Sequence, residues 1–244
     1  MLPRVYSEMI LNDDSWYYAG KRAAIRAILK KNGVRFHKAV DLGCGTGGNA
    51  NALIAFASPD AEYVGVEPHE LPSRFPDALR SRIIRERLEN VDLADIGGKS
   101  DLVMMIDALE HVDEDAGLSC ATRLISDDGY LLISVPADMR LWSKKDEDCG
   151  HRKRYSPKEL FDALERHGFS VLSWNRYFAF GYLPFLVSKH LVTSYFGPSG
   201  WGWLLRPIAY FEGWLGRWIR WPIGTGIICL AGVKNGSKNG VFRA

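Results

Sequence analysis

Paired cysteines, net charge and long apolar runs are all scarce in this 244-residue chain. The four cysteines, Cys44, Cys120, Cys149 and Cys229, are scattered and form no Cys-x-x-Cys pair. That spacing supports neither a zinc site nor a disulfide framework, and a reducing, cytoplasmic setting is the expectation. The net charge is only +2, too small by itself to imply a polyanion, so no nucleic-acid partner is expected. No stretch reaches 18 uncharged apolar residues, so no transmembrane span is read. Charges break up the short apolar runs between Met1 and Asp14, which leaves no signal-peptide core there. Internal repeats and low-complexity blocks are also missing, and disorder is expected chiefly in the tail from Asn235 to Ala244.

What is present has an ordinary globular balance, 47% hydrophobic and 25% charged. The length suits one α/β domain. Ala24, Ile25, Ile28 and Leu29 recur at helical spacing between Trp16 and Lys31, with Asn32-Gly33 as a stop. Lys38 to Leu42 is a short apolar run entering glycine-rich sequence, the pattern of a buried strand before a tight turn. A helix is predicted over Asn49 to Ala57, then strands over Glu62 to Glu67 and Ile83 to Leu88. Asp101 to Ile106 and Tyr130 to Val135 are near-continuous apolar runs, as in strands covered on both faces. A helix over Asp113 to Ile125 separates them. Ser156-Pro157 opens a helix through His167, and Phe169 to Trp174 and Gly226 to Val233 supply two last strands. This alternation predicts a Rossmann-like, parallel, doubly wound sheet of about seven strands.

The stretch Asp41-Leu42-Gly43-Cys44-Gly45-Thr46-Gly47-Gly48 follows the first strand. Glycine is needed there for a tight turn and for close approach of a ligand to the backbone. Gly43, Gly45 and Gly48 also fit a dinucleotide pattern, so two cofactor chemistries compete. Asp41 discriminates between them, because a carboxylate at the mouth of the turn would repel a pyrophosphate by about 1–4 kcal/mol. It would attract a cofactor carrying an ammonium and a sulfonium. Glu67, closing the second strand, can accept ribose hydroxyls in either case.

VDLGCGTG, YVGVE, DLVMMIDALEHV and GYLLISVP, in this order, resemble the successive motifs of the class I S-adenosylmethionine-dependent methyltransferases over residues 38 to 136. The flanks, Trp16-Tyr17-Tyr18 with Arg22 and Gly150-His151-Arg152-Lys153-Arg154-Tyr155, are similar to a small-molecule branch of that superfamily, of type 11 or 23. The resemblance implies S-adenosylmethionine as cofactor and S-adenosylhomocysteine as product. Asp41, Gly43, Gly45 and Gly47 would then line the methionine side, Glu67 hold the ribose and Asp107 border the sulfonium. Tyr18 and Arg22 would close over the methionine carboxylate. The adenine contact is Glu89 by spacing, with Asn90 and Asp92 as alternatives. In domain terms, residues 1–35 form a helical cap, 36–140 the cofactor core, 141–155 an acceptor loop and 177–225 a helical insertion.

His111 and His151 lie where a base could act, and Tyr155 flanks the second of them. The bland alternative for each is a structural role. Asp148, Cys149 and His151 could be drawn as metal ligands, but no fourth ligand is apparent, so no metal is assigned. The charges of 141–155 suggest a loop ordered by Asp146, Glu147 and Asp148 against the nearby arginines.

Five of the eight tryptophans fall between Trp201 and Trp221. Pro207 suits the first turn of a helix, after which Ile208, Phe211, Leu215 and Trp218 form one apolar face, with Arg217 and Arg220 towards the other side. This amphipathic helix can cover the core, close over an apolar acceptor, join two subunits or lie at a membrane surface. An acceptor with an apolar portion, small or lipid-like, follows from it, with O-methylation favoured. A nucleic-acid methyltransferase, a nicotinamide-dependent oxidoreductase and a non-catalytic cofactor-binding module are the competing readings.

Overall fold

The structure, a computed structural model, describes residues 15–188 and 202–234. The stretch scanned for a leader, the tail from Asn235 and Trp201 lie outside them. The strands are β1 (Phe36–Leu42), β2 (Ala57–Val66), β3 (Arg80–Ile84), β4 (Ser100–Ile106), β5 (Ile125–Pro136), β6 (Phe169–Tyr177) and β7 (Gly226–Val233). The helices are α1 (Trp16–Lys31), α2 (Leu93–Ile96), α3 (Glu114–Leu124), α4 (Lys144–Cys149), α5 (Pro157–Arg166), α6 (Ala179–Ser188) and α7 (Gly202–Leu215).

All seven strands join one sheet in the order β3-β2-β1-β4-β5-β7-β6. The first five pair in parallel, which matches the Rossmann-like expectation. β7 departs from it, running antiparallel to both β5 and β6. The reason is the insertion: Tyr177 pairs with Gly226, so the chain leaves and re-enters the sheet at one end. A strand entering there has to run back, and no crossover to the opposite end is made.

Local signals placed the helix starts well. Asp113 accepts the Ala116 N–H at the head of α3. Ser156 and Glu159 form a capping box around Pro157 at the head of α5, and Gly168 adopts φ 81° after it. Asp92 caps α2 in the same way. The helix predicted over Asn49 to Ala57 is instead two short 3-10 turns, Gly48–Ala52 and Ile54–Phe56, with β2 starting at Ala57. The Asn51 side chain donates to the Gly48 carbonyl there, a local bond that competes with a regular helix. Likewise Pro207 is inside α7, and that helix begins earlier, at Gly202.

The sheet is covered on both faces. Val40, Leu42, Val103 and Leu131 pack towards α3 and α5, while Ala39, Tyr63, Met104 and Leu132 pack towards α1. Because strand side chains alternate, Asp41 projects on the same face as Ala39, into the α1 side of the core.

Candidate active site

A cavity of about 520 Å³ opens at the carboxyl ends of β1, β2 and β4, the edge where open α/β sheets bind ligands. Its floor is the glycine turn. Gly43, Gly45 and Gly47 have φ of 79°, 57° and 79°, a region that suits glycine. A Cβ on Gly47 would lie 2.0 Å from the Phe75 ring, whereas one on Gly45 would meet nothing within 4 Å. Gly47 is therefore needed for packing beneath the turn, and Gly45 leaves its face open as a cradle.

Glu67 stands over that cradle. Its Oε2 accepts the Gly45 N–H and its Oε1 the His69 N–H, both at 3.1 Å. These bonds hold the carboxylate at the cavity wall. Of the three adenine candidates, Glu89 lines the cavity. Asp92 is occupied as the cap of α2, and Asn90 donates to Glu86.

Asp107 also lines the cavity, with φ 54°, immediately after β4. It is not a helix cap. Its Oδ1 accepts the Ser134 hydroxyl at 2.8 Å, and its Oδ2 is paired with the Lys21 ammonium and bonded by the Tyr17 hydroxyl at 3.3 Å. Lys21 is only 1% exposed, and burial pushes its ammonium below its ordinary value, to about 7. Sequence reasoning missed it and chose Arg22 instead. Tyr18 and Lys21 line the cavity, whereas Arg22 is not among its wall residues. On a helix both positions lie one turn from Tyr18, so spacing alone does not separate them.

Two further expectations need correction. Asp41 is fully buried and does not reach the cavity wall. Its Oδ2 accepts the Tyr63 hydroxyl at 2.5 Å, its Oδ1 has no partner, and burial raises its carboxyl to about 6. It supports the turn from below and does not stand at the mouth where a cofactor would meet it. Tyr155 is 1% exposed and lies away from the cavity, with Lys153 over its ring. Its backbone bonds to Pro136 and Asp138 pin the end of the 141–155 segment to β5, a structural role.

The two histidines come together, with ring centroids 4.8 Å apart. His111 lines the cavity beside Gly150, and burial, aided by the neighbouring His151 ring, lowers its pKa to about 4. It is a neutral imidazole at physiological pH. His151 is oriented by Asp146, whose Oδ1 lies 2.8 Å from its Nδ1. Asp146 also takes the Arg154 guanidinium through Oδ1 at 2.8 Å and Oδ2 at 3.1 Å. The 141–155 segment is thus folded about one buried carboxylate, as its charges suggested. Among the described residues, the set that could offer ligand atoms to a metal is Glu110, His111 and His151, within 4.8 Å of one another. Asp148 and Cys149 are not part of it. Burial raises Glu110 well above the usual carboxylate range.

Among the described residues, none of 177–225 lines the cavity, and residues 189–201 of the insertion lie outside the described set. The insertion supports the site indirectly. The Phe178 ring packs against Trp16 and Tyr17 at 5.3 and 5.1 Å, steadying the end of α1 that carries Tyr18 and Lys21.

A sheet of this order, with a glycine turn and a strand-end acid over one cavity, is the architecture on which the class I, S-adenosylmethionine-dependent methyltransferases are built. The chain belongs to that family: a family model described as a methyltransferase domain matches residues 17–174. No curated protein matches it by sequence. Among solved structures, it is similar to the 1,6-didemethyltoxoflavin N1-methyltransferase of Burkholderia thailandensis, crystallised with 1,6-didemethyltoxoflavin and S-adenosylhomocysteine. That match has 15% identity, 94% and 86% coverage of the two chains and a TM-score of 0.55. It is also similar to the geranyl diphosphate C-methyltransferase of Streptomyces coelicolor A3(2), at 16% identity, 87% and 80% coverage and TM-score 0.54. A third match is the methyltransferase complexed with the Trm112 activator of Haloferax volcanii, at 15% identity, 95% and 94% coverage and TM-score 0.56. At these identities the likeness is one of fold.

Proposed function

We propose that this chain methylates a small acceptor, partly apolar to match Ile106 and Val112 in the cavity wall, that enters beside His111, with a hydroxyl oxygen as the favoured nucleophile. The reading rests chiefly on one observation. Glu67, Glu89 and the Lys21–Asp107 pair face a single cavity whose glycine floor has open space at Gly45. The volume suits a ligand of nucleoside size with room for a second small molecule. Glu67 would hold the ribose hydroxyls and Glu89 the adenine amine. Lys21, in place of Arg22, would meet the methionine carboxylate, and Asp107 its ammonium. The bound cofactor supplies a sulfonium methyl that is already activated, so the protein's work is alignment and exclusion of water.

His151 is the proton acceptor in this reading, because His111, with its pKa lowered to about 4, is too weak a base to share the role at neutral pH. An imidazole directed at a hydroxyl or a protonated amine contributes typically about 10²–10⁴-fold. Asp146 fixes the tautomer and direction of His151, and the folded 141–155 segment serves as the acceptor loop. Isothermal calorimetry with S-adenosylmethionine, S-adenosylhomocysteine and NAD tests the cofactor assignment. The first two should bind and NAD should not, and Glu67→Ala should weaken binding by about tenfold or more. Binding of NAD in preference to S-adenosylhomocysteine would refute it.

A further inference from the structure

Helix α7 is inside out. It meets α1 through its smallest residues: a Cβ on Gly213 would lie 2.7 Å from Ala23 Cβ, and one on Gly20 would lie 2.8 Å from Ala209 Cβ. Glu212, the acid of the segment from Trp203 to Trp221, also faces inward and accepts the Phe180 N–H at the head of α6, at 3.1 Å. The bulky apolar side chains are therefore turned away from the protein. Trp203 is 80%, Phe211 61%, Trp214 48% and Trp218 63% exposed, with Ile208 beside them. An ordinary surface helix buries such residues and exposes its acids.

The outward rings form a connected surface. Phe211 stacks on Trp214 with centroids 5.9 Å apart, and Trp214 meets Trp218 edge-on at 4.7 Å. The Arg217 guanidinium lies 5.4 Å from the Trp214 ring and 4.4 Å from that of Trp218. The sequence pattern set Arg217 on the opposite side; in the fold it joins the aromatic face. Arg206, on the same helix, is exposed, whereas the Arg220 guanidinium lies 4.9 Å from the Trp174 ring of β6. The outward face thus combines indole rings with Arg206 and Arg217, and Glu212, the acid of residues 203–221, is turned away from it.

We propose that this face docks on an anionic lipid bilayer surface. The rings would sit at headgroup depth, with the arginines paired to lipid phosphates. Charge decides between this partner and a second copy of the chain. A two-fold pairing of the same face would oppose like arginines, whereas an anionic membrane complements them. The contact is peripheral, since among the described residues no helix is long and apolar enough to cross a membrane.

The test is co-sedimentation of the full chain with vesicles of phosphatidylcholine alone and of phosphatidylcholine mixed with phosphatidylglycerol. The wild type should bind the mixed vesicles, less so at high salt. Binding should fall by about tenfold or more in Trp214→Ala/Trp218→Ala, while S-adenosylhomocysteine affinity is unchanged. Should that variant lose its fold, Arg206→Glu/Arg217→Glu provides a second route, with the same expected loss. Three results would overturn the proposal: absence of wild-type binding to mixed vesicles, equal binding by the variants, or wild-type self-association that disappears in the variants without any vesicle binding. Because cofactor affinity is read separately, failure here leaves the methyl-transfer reading standing, and the reverse.

Discussion

The buried carboxyl of Asp41 offers a direct test of the reasoning about the glycine turn. Burial raises it from 3.8 to about 6. A carboxyl raised on folding costs nothing below its unfolded value, where both states are protonated. Stability is then lost as pH rises through the folded value, because the native state must ionise a group shielded from water. At 1.36 kcal/mol per unit, the full loss is about 3 kcal/mol, of which about 2 kcal/mol falls between pH 4.5 and 7.5. Asp41→Asn removes this term and keeps the acceptor for the Tyr63 hydroxyl. The new amide replaces Oδ1, which has no partner, so a constant offset of about 1–3 kcal/mol is expected at every pH. The informative quantity is therefore the wild-type minus variant difference in unfolding free energy from urea titrations. It should move by about 2 kcal/mol in the variant's favour between pH 4.5 and 7.5. Parallel curves would refute the buried, raised carboxyl. The same protein gives a second reading by calorimetry: S-adenosylhomocysteine affinity should change by less than about threefold, whereas direct contact with the cofactor ammonium predicts a loss of about tenfold.

Gly45→Ala and Gly47→Ala should separate cradle from packing. Each accepts the left-handed strain of about 1–2 kcal/mol, but only Gly47→Ala also displaces the Phe75 ring, so it should show the larger drop in thermal midpoint. Gly45→Ala should remain folded yet lose about tenfold or more in S-adenosylhomocysteine affinity by calorimetry, since its methyl projects into open space. Lys21→Met leaves Asp107 without its cation. With Asp107 26% exposed, urea unfolding should show a cost of about 1–2 kcal/mol rather than the 3–5 of a fully buried pair, together with weaker cofactor binding. Asp146→Asn strips the partner from buried Arg154 and should cost about 3–5 kcal/mol, with limited proteolysis appearing within 141–155. Burial opposes ionisation of Asp146, but His151 and Arg154 win and hold its carboxyl below the ordinary range. Its stabilisation is therefore present above the unfolded carboxylate value and lost as pH falls through the lower folded one, a loss absent from Asp146→Asn.

Much of the site was legible because it is built from local signals. The glycine turn, the acids at strand ends and the helix caps each depend on residues a few positions apart. Glu67 and Asp107 stand where their positions after β2 and β4 suggested. What misled was direction. Asp41 is two residues before Gly43, but strand alternation turns it under the sheet towards Tyr63. Lys21 and Arg22 are equivalent by spacing, and only the packing of α1 on Phe178 and α7 decides which one enters the cavity. Tyr155 shares a motif with His151 yet is carried beneath α3 by its pairing with Ala137.

From the sequence alone come the alternation of strand and helix, the glycine turn with its strand-end acids, and the concentration of tryptophan between the last two strands. Periodicity and capping are properties of neighbouring residues, so one chain is enough to read them. The tertiary structure alone decided that β7 runs backwards, that Asp146 gathers His151 and Arg154, and that α7 turns its aromatics outward. Each of these depends on what lies across a contact between segments distant in the chain. The small residues shared by α1 and α7 made close approach possible, and that contact left the large side chains facing away.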